Sequence, residues 1–195
     1  MLDRFLTHSF RGALLFIAAV LSPTVLRAQQ NLLIDPARSD VHFTLGDVLH
    51  TVHGTFHVQQ GEIAFNGATG QASGSIVVDA LSGQSGNSAR DRRMTNEELK
   101  AQSYKNVTFA PTRFTGEFHS GGDSSLQIHG IFTLLGTEHE IDVPMKVQVN
   151  GNQVHASGTF AVPYVQWGLK DPSTLMLRVS KEVQIDLSLM GVLQP

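Results

Sequence analysis

The sequence predicts a single antiparallel β-barrel of eight strands with one short helical insertion. Three observations support this fold class. Apolar and polar residues alternate with a period of two along most of the chain, and the connections between these segments are short and rich in turn-forming residues. Only one charged segment, residues 88–104, clearly breaks the alternation.

The chain begins with a predicted signal peptide. Arg4 and Arg11 accompany an uninterrupted apolar run over residues 12–21. This run is too short to cross the ~30 Å core of a bilayer as a helix, but it suits the central region of a signal peptide. We expect cleavage after Ala28, which leaves residues 29–195 as the mature domain; an uncleaved membrane anchor is the alternative. Cleavage removes three Arg and one Asp and so changes the formal net charge from −3 to −5.

Eight segments carry the alternation expected of strands with one buried face. The clearest lies between Ile141 and Val149, where apolar residues alternate with Asp142, Lys146 and Gln148. The predicted strands are residues 41–45, 52–58, 76–78, 114–118, 126–134, 141–149, 154–162 and 183–189.

Turn residues separate several of these strands. Asn66-Gly67, Gly121-Gly122 and Asn150-Gly151 supply the positive φ angles that tight hairpins require. Short hairpins make sequential strands antiparallel neighbours. A sheet of eight such strands hides its apolar face, and loses its free edges, by closing into a barrel. A two-sheet sandwich is the alternative.

Residues 88–104 predict the helical insertion. The segment is charged and has few β-branched residues, while Met94 and Leu99 give it an apolar side. Thr95, with a glutamate three positions later, matches a capping box. This match predicts that the helix proper begins near Asn96.

Composition and motifs exclude several classes of function. The absence of cysteine excludes a disulfide scaffold, a thiolate metal site, an iron–sulfur cluster and a cysteine nucleophile. The net charge of −3 provides no field to attract nucleic acid, so no nucleic-acid partner is expected. No Gly-x-Ser-x-Gly motif is present, and the glycine-rich residues 83–87 lack the lysine of a phosphate-binding loop. We therefore expect no enzymatic activity and no catalytic residue.

Nine histidines raise metal binding as an alternative. Imidazole is a common metal ligand, and His50, His53 and His57 form the densest group. On a strand, however, His53 and His57 share a face while His50 points elsewhere, and the group contains no acidic residue. We predict solvated histidines and no metal site. A metal- or haem-associated protein is the alternative, with ligands drawn from His42, His50, His53, His57 and His129.

Two further groups of residues are candidates for a binding site. Aromatic residues on the apolar faces are compatible with a ligand cavity or with a dry, packed interior. This aromatic group comprises Phe43, Phe56, Phe109, Phe118, Phe132, Phe160 and Trp167. Arg90, Arg92 and Arg93 lie beside the expected mouth of the barrel. They predict either a clamp for a phosphate or pyrophosphate, or a solvated helix start with one Arg–Asp pair.

Several motifs resemble, in order, those of the YceI-like proteins. The motifs are Asp35-Pro36-Ala37-Arg38-Ser39, Val52-x-Gly54-x-Phe56, Arg90-Asp91-x-x-Met94, Ile128-x-Gly130-x-Phe132-Thr133-Leu134-x-Gly136 and Phe160-x-Val162-x-x-x-x-Trp167-Gly168-Leu169. The resemblance extends from about residue 33 to residue 189.

This resemblance implies a periplasmic, lipocalin-like β-barrel that carries a polyisoprenoid or a similar long apolar chain. It favours a cavity lined by the aromatic group together with Met94 and Leu99, with Arg90, Arg92 and Arg93 at the head group. The expected ligand is a polyprenyl phosphate or an isoprenoid quinone, and no other cofactor is expected. Transient membrane contact and a homodimer are compatible with this role. A packed barrel that acts as an interaction module is the remaining alternative.

Overall fold

The computed structural model describes residues 29–46, 50–173 and 178–194. The predicted signal peptide, residues 1–28, lies outside the described residues. The described chain contains nine strands and one short α-helix. The strands are β1 (Gln30–Ile34), β2 (Asp40–Gly46), β3 (Thr51–Phe65), β4 (Ala72–Asp79), β5 (Asn106–Thr115), β6 (Gly122–Leu134), β7 (Thr137–Asn150), β8 (Gln153–Val162) and β9 (Val183–Gln194), with helix α1 (Ser88–Arg93) between β4 and β5.

The strands form one closed antiparallel barrel. From β2 to β9 each strand pairs with the next, and β2 also pairs with β9, which closes the ring. Strand β1 lies in line with β2, because both pair with β3 on one side and β9 on the other. The ring therefore has eight positions. The predicted eight-stranded barrel is confirmed, and the sandwich alternative is wrong.

The inward faces are those that the alternation predicted. In β7, Val143 and Met145 are buried, whereas Asp142 and Lys146 are exposed. Several strand limits differ from the prediction, and β1 was not predicted, because its short sequence shows little alternation. Strand β3 extends to Phe65, β4 begins at Ala72, and β9 extends to Gln194. Strand β5 begins at Asn106 and ends at Thr115, where Gly116 follows with a φ of +102°.

A tight turn interrupts the strand position shared by β1 and β2. Residues Pro36–Arg38 form one 3₁₀ turn, which Asp35 caps by accepting a hydrogen bond from the backbone of Ala37. The Arg38 guanidinium lies 2.7 Å from the Asp35 carboxylate and lowers the pKa of that carboxyl group. The sequence thus has a proline and a capping aspartate at the point where the hydrogen-bonded strand position shared by β1 and β2 is interrupted.

Ser39 maintains the hydrogen bonding at this break. The residue is 7% exposed. Its hydroxyl donates to the Asp35 carbonyl at 2.7 Å and accepts from the Met190 N–H at 3.0 Å. The Asp35 N–H donates to the Met190 carbonyl at 2.8 Å. Buried backbone groups of both strands therefore remain paired.

The helical insertion begins earlier than its sequence predicted. Asn87 is the N-cap of α1, and its side chain accepts from the backbone N–H groups of Ala89 and Arg90. A π-helical turn, Met94–Glu98, continues the helix. The Thr95 hydroxyl donates to the Asp91 carbonyl at 2.9 Å and so does not cap a helix start. The capping-box prediction is wrong because the preceding turn is already helical.

Among the described helices, none is both long enough and apolar enough to cross a membrane.

Candidate functional site

The barrel encloses a cavity of about 500 Å³. Side chains from every strand contribute to its wall, and nearly all of them are apolar. The volume is within the range of about 300–1,000 Å³ that is typical of small-molecule sites. An apolar cavity of this kind holds water poorly, and its wall is chemically suited to an apolar molecule.

Most of the residues predicted to line a cavity lie in this wall. They are Phe43, Phe56, Met94, Leu99, Phe109, Phe118, Phe132 and Phe160. Their contact with a lipid stays a prediction.

Trp167 differs from this prediction, since it lies behind the described cavity wall. Its indole ring stacks on the imidazole of His139, with centroids 4.0 Å apart and planes 5° from parallel. On another side it packs against Phe132, at 5.6 Å between centroids. Trp167 therefore packs against a wall residue, at the end of the barrel from which the loop after β8 extends.

Three phenylalanines narrow one end of the cavity, which we call the far end. Phe65 packs edge-on against Phe114 at 6.3 Å and against Phe118 at 5.1 Å between ring centroids. Leu126 is buried in the same cluster. This end of the barrel, where β3 and β5 finish, presents only apolar side chains to the cavity.

The opposite end, which we call the mouth, carries the polar lining. Ser85, Arg90, Arg93, Glu98, Thr108 and Lys170 all belong to the wall. They come from the segment between β4 and β5, from the start of β5, and from the loop after β8. An occupant of the cavity therefore meets polar groups at one end only.

Residues 83–87, which we call the strap, lie beside β3 at the mouth and are hydrogen-bonded to it. The backbones of Gln84 and Thr55 exchange two hydrogen bonds, of 2.8 and 3.0 Å. Gly54 makes this approach possible, because a Cβ atom there would lie 2.3 Å from the Gln84 carbonyl oxygen and 2.4 Å from the Phe43 ring. A second link joins the His57 N–H to the Ser82 hydroxyl at 2.8 Å.

The strap is also bonded to α1. Both the N–H and the hydroxyl of Ser85 donate to the Asp91 carboxylate. The Arg90 guanidinium donates through Nε to the Ser85 hydroxyl at 2.7 Å and through Nη2 to the Ser85 carbonyl at 2.9 Å. Two of the nitrogens of Arg90 are thus engaged in holding the strap.

The three arginines predicted at the head group lie in different settings. Arg90 and Arg93 belong to the cavity wall, whereas the exposed Arg92 lies outside that wall. Arg93 also lies near Glu97, with 3.6 Å between its Nε and the carboxylate. The geometry therefore allows two of the three side chains to meet a ligand, and no finding tests the predicted clamp.

Besides Thr108 in β5, four polar lining residues outside the strands were missed by sequence reasoning: Ser85, Glu98, Tyr164 and Lys170. Burial, followed by the nearby carboxylates of Asp171 and Glu98, raises the pKa of Tyr164 to about 12. Its hydroxyl therefore stays protonated at neutral pH. The only available signal was position, since each of these residues lies in a segment that follows a strand at the same end of the barrel.

The histidine group does not form a metal centre in the structure. Within residues 29–46, 50–173 and 178–194, no cluster of three or more potential ligands could hold a metal ion. His53 lies 3.1 Å from the Thr44 hydroxyl through Nδ1, and His50, His53 and His57 are exposed. His129 contacts Asp142 at 2.9 Å on the outside of the sheet. No observation favours the metal or haem alternative.

Comparisons with known proteins agree with this architecture. The barrel is similar to a polyisoprenoid binding domain from Saccharophagus degradans (17% identity, TM-score 0.65, covering 83% of this chain and 97% of that chain). It is also similar to BcnA from Burkholderia cenocepacia (22% identity, TM-score 0.65, covering 80% of this chain and 98% of that chain). A comparison with curated proteins gives no match. The YceI-like domain matches residues 33–190, and the chain therefore belongs to the YceI-like family.

Proposed function

We propose that this protein is an exported carrier that holds a long-chain isoprenoid lipid in its barrel. One observation carries the proposal: the cavity of about 500 Å³ is apolar along its length and polar only at the mouth. A molecule with a long apolar chain and one polar end has the same distribution of chemistry. The function is binding, and no catalytic step is proposed.

The apolar wall supplies most of the expected affinity. Each CH₂ group removed from water contributes roughly 0.8 kcal/mol, so a chain of many carbons gains far more than a single head-group contact. The phenylalanines at the far end leave no polar group there for a head group to meet. The chain end should therefore point to Phe65 and Phe114, and the head group should lie at the mouth.

The family and its relatives support the ligand class. The solved domain from Saccharophagus degradans is described as polyisoprenoid binding, and it shares this fold. Within that class we propose a polyprenyl phosphate or an isoprenoid quinone. Arg90 and Arg93 at the mouth suit the first, and the wholly apolar wall suits both.

Export is proposed on the sequence alone. The apolar run over residues 12–21 and the following Ala28 fit a cleaved signal peptide. We propose that the mature chain acts in the periplasm and contacts a membrane only transiently, to collect or deliver its lipid. Sequencing the N-terminus of the secreted protein tests cleavage, and a chain that still begins at Met1 in the membrane fraction would contradict it.

The direct test is to identify what the native protein contains. The mature protein, expressed in its own host and purified without detergent, is extracted with organic solvent and the extract is analysed by mass spectrometry. We expect an isoprenoid chain at near-stoichiometric amount. An extract without lipid, together with failure of the delipidated protein to bind an apolar dye, would favour a packed interaction module instead.

A further inference from the structure

Glu98 contributes an unpaired carboxylate oxygen at the mouth of the cavity. The residue belongs to the cavity wall. Its Oε2 atom is buried and has no hydrogen-bond partner in the part of the chain that the structure describes. A buried acceptor that no donor reaches is costly, and a charged one more so. A donor supplied by a bound molecule at this point would therefore be stabilising.

Tyr164, another polar residue of the cavity wall, has its hydroxyl bonded elsewhere. The Tyr164 hydroxyl donates to the Ser180 carbonyl at 2.6 Å. Because a phenol has a single hydrogen to donate, this bond leaves none for Glu98. The carboxylate of Glu98 is also the smallest of three causes of the raised pKa of Tyr164, after burial and Asp171.

The arginines of the mouth are also engaged with other partners. Arg90 holds Ser85 through two nitrogens, and Arg93 lies beside Glu97. Among the described residues, no side chain or backbone group donates to Glu98 Oε2. The acceptor thus has no partner in the described part of the chain, and it belongs to a residue that borders the space that the head group of a ligand would occupy.

We propose that Glu98 accepts a hydrogen bond from a hydroxyl at the polar end of the bound isoprenoid, and that this contact favours a ligand with a hydroxyl donor over a ligand of the same chain without one. The inference rests on the proposed function, because the apolar chain must fill the barrel for its head group to reach the mouth. It goes further in naming the head-group chemistry and the residue that recognises it.

The acceptor distinguishes between related head groups. A carboxylate oxygen can only accept, so a hydroxyl satisfies it and an ether or carbonyl oxygen does not. Among isoprenoid quinones, the reduced form carries phenolic hydroxyls and fits, whereas the oxidised form presents only carbonyl oxygens. A phosphate brings negative charge toward Glu98, which Arg90 and Arg93 offset only in part.

Two ligands that share the same apolar chain separate the contribution of this hydrogen bond from that of the chain. Geranylgeraniol and its methyl ether carry the same apolar chain, but only the alcohol can donate. Their affinities for the delipidated mature protein are measured by displacement of a fluorescent apolar probe. We expect the alcohol to bind about tenfold or more tightly, the discrimination that a hydrogen bond to a charged acceptor supports.

Variants assign the effect to one residue. Glu98→Met removes the acceptor and should reduce the preference for the alcohol to about twofold or less. Glu98→Gln, which keeps a carbonyl oxygen and guards against a folding defect in the first variant, should retain a smaller preference than the wild type. Glu97→Gln is the matched control, since it removes the same charge from a neighbouring residue outside the described cavity wall and should retain the full preference.

The outcomes separate this inference from the proposed function. Equal binding of alcohol and ether by the wild type would overturn the role of Glu98 and leave the lipid carrier intact. A full preference retained in Glu98→Met would also overturn it. Binding of neither ligand, nor of longer isoprenoids, would overturn both.

Discussion

Single side chains stabilise this barrel, and we expect others to set which ligand it binds. Ser39 is the clearest example for stability, because one hydroxyl serves two strands at the break between β1 and β2. One of its partners, the backbone N–H of Met190, is bonded to the Ser39 hydroxyl where the ladder is interrupted, whereas the Asp35 carbonyl also accepts from the Arg38 N–H at 3.2 Å. A small polar residue at this point therefore has a structural role that its sequence context does not reveal.

Substitution of Ser39 by alanine should destabilise the fold by about 1–3 kcal/mol, because it removes the hydrogen bond to the Asp35 carbonyl and leaves the backbone N–H of Met190 without its partner. Urea unfolding followed by far-UV circular dichroism measures the change. Ser125→Ala, on the exposed face of β6, should change the stability by less than about 0.5 kcal/mol. Equal effects of the two substitutions would show that the Ser39 bonds contribute nothing specific.

Two neighbouring arginines allow a second comparison, because one lines the mouth and the other does not. Arg93→Ala should weaken binding of an isoprenoid phosphate about tenfold or more and leave a neutral isoprenoid of equal length nearly unaffected. Arg92→Ala, one residue away but outside the described wall, should change neither. Isothermal titration with both ligands measures the effects. Equal losses for both ligands in Arg93→Ala would mean that the side chain acts through the fold.

Helix α1 and the strap form one hydrogen-bonded unit at the mouth. The strap is bonded to β3 through Gln84 and to α1 through Ser85, so the positions of the strap and the helix depend on each other. Helix α1 has only six residues and depends on its cap and on these contacts more than on its own propensity.

Asn87→Ala should therefore loosen the mouth without unfolding the barrel. Loss of the cap costs about 1 kcal/mol in the helix. We expect faster amide hydrogen exchange over residues 88–98 and unchanged exchange in β6 and β7. Ser88→Ala, in which the Asn87 cap remains, is the control. Uniformly faster exchange throughout the barrel would contradict a local effect.

Elements with strong periodicity were predictable and those set by distant contacts were not. In β7, apolar and polar residues alternate because one face of the strand is buried in the barrel. The orientation of this strand could therefore be predicted from its sequence alone. Thr95 matched a helix start only because the helical turn before it, capped by Asn87, was not recognised. Glu98 carried no signal, since its importance depends on which groups the folded loop after β8 brings beside it. The phenylalanines of the wall were predictable as inward-facing, but Trp167 lies in a loop where alternation says nothing.

At the largest scale, the described chain is a closed barrel whose centre is a cavity and not a packed core. A cavity of this size forgoes the contacts that a filled interior would make, which lowers the stability of the empty protein. A bound lipid restores those contacts, so ligand occupancy and folding stability should be linked.

Delipidation should accordingly lower the melting temperature, and a long isoprenoid should restore it. At a free ligand concentration of about 100 times Kd the gain is about 2.7 kcal/mol. Differential scanning calorimetry of native, delipidated and reloaded protein measures it. A short prenyl alcohol at equal concentration should restore less, because it fills less of the cavity; an unchanged melting temperature would indicate an interior that needs no ligand.

The hydrogen bonds between the strap and β3 should also set how long a bound lipid stays in the barrel. Because phenylalanine side chains pack at the far end and the strap is bonded to β3 at the mouth, we expect a lipid to pass through the mouth while the strap is detached from β3. The frequency of that detachment, rather than the length of the cargo, then limits how often the barrel is emptied. Two lipids of unequal affinity should depart at similar rates and differ chiefly in how readily they are captured. A carrier with this property keeps its cargo through a passage across water, because its residence time is a property of the protein.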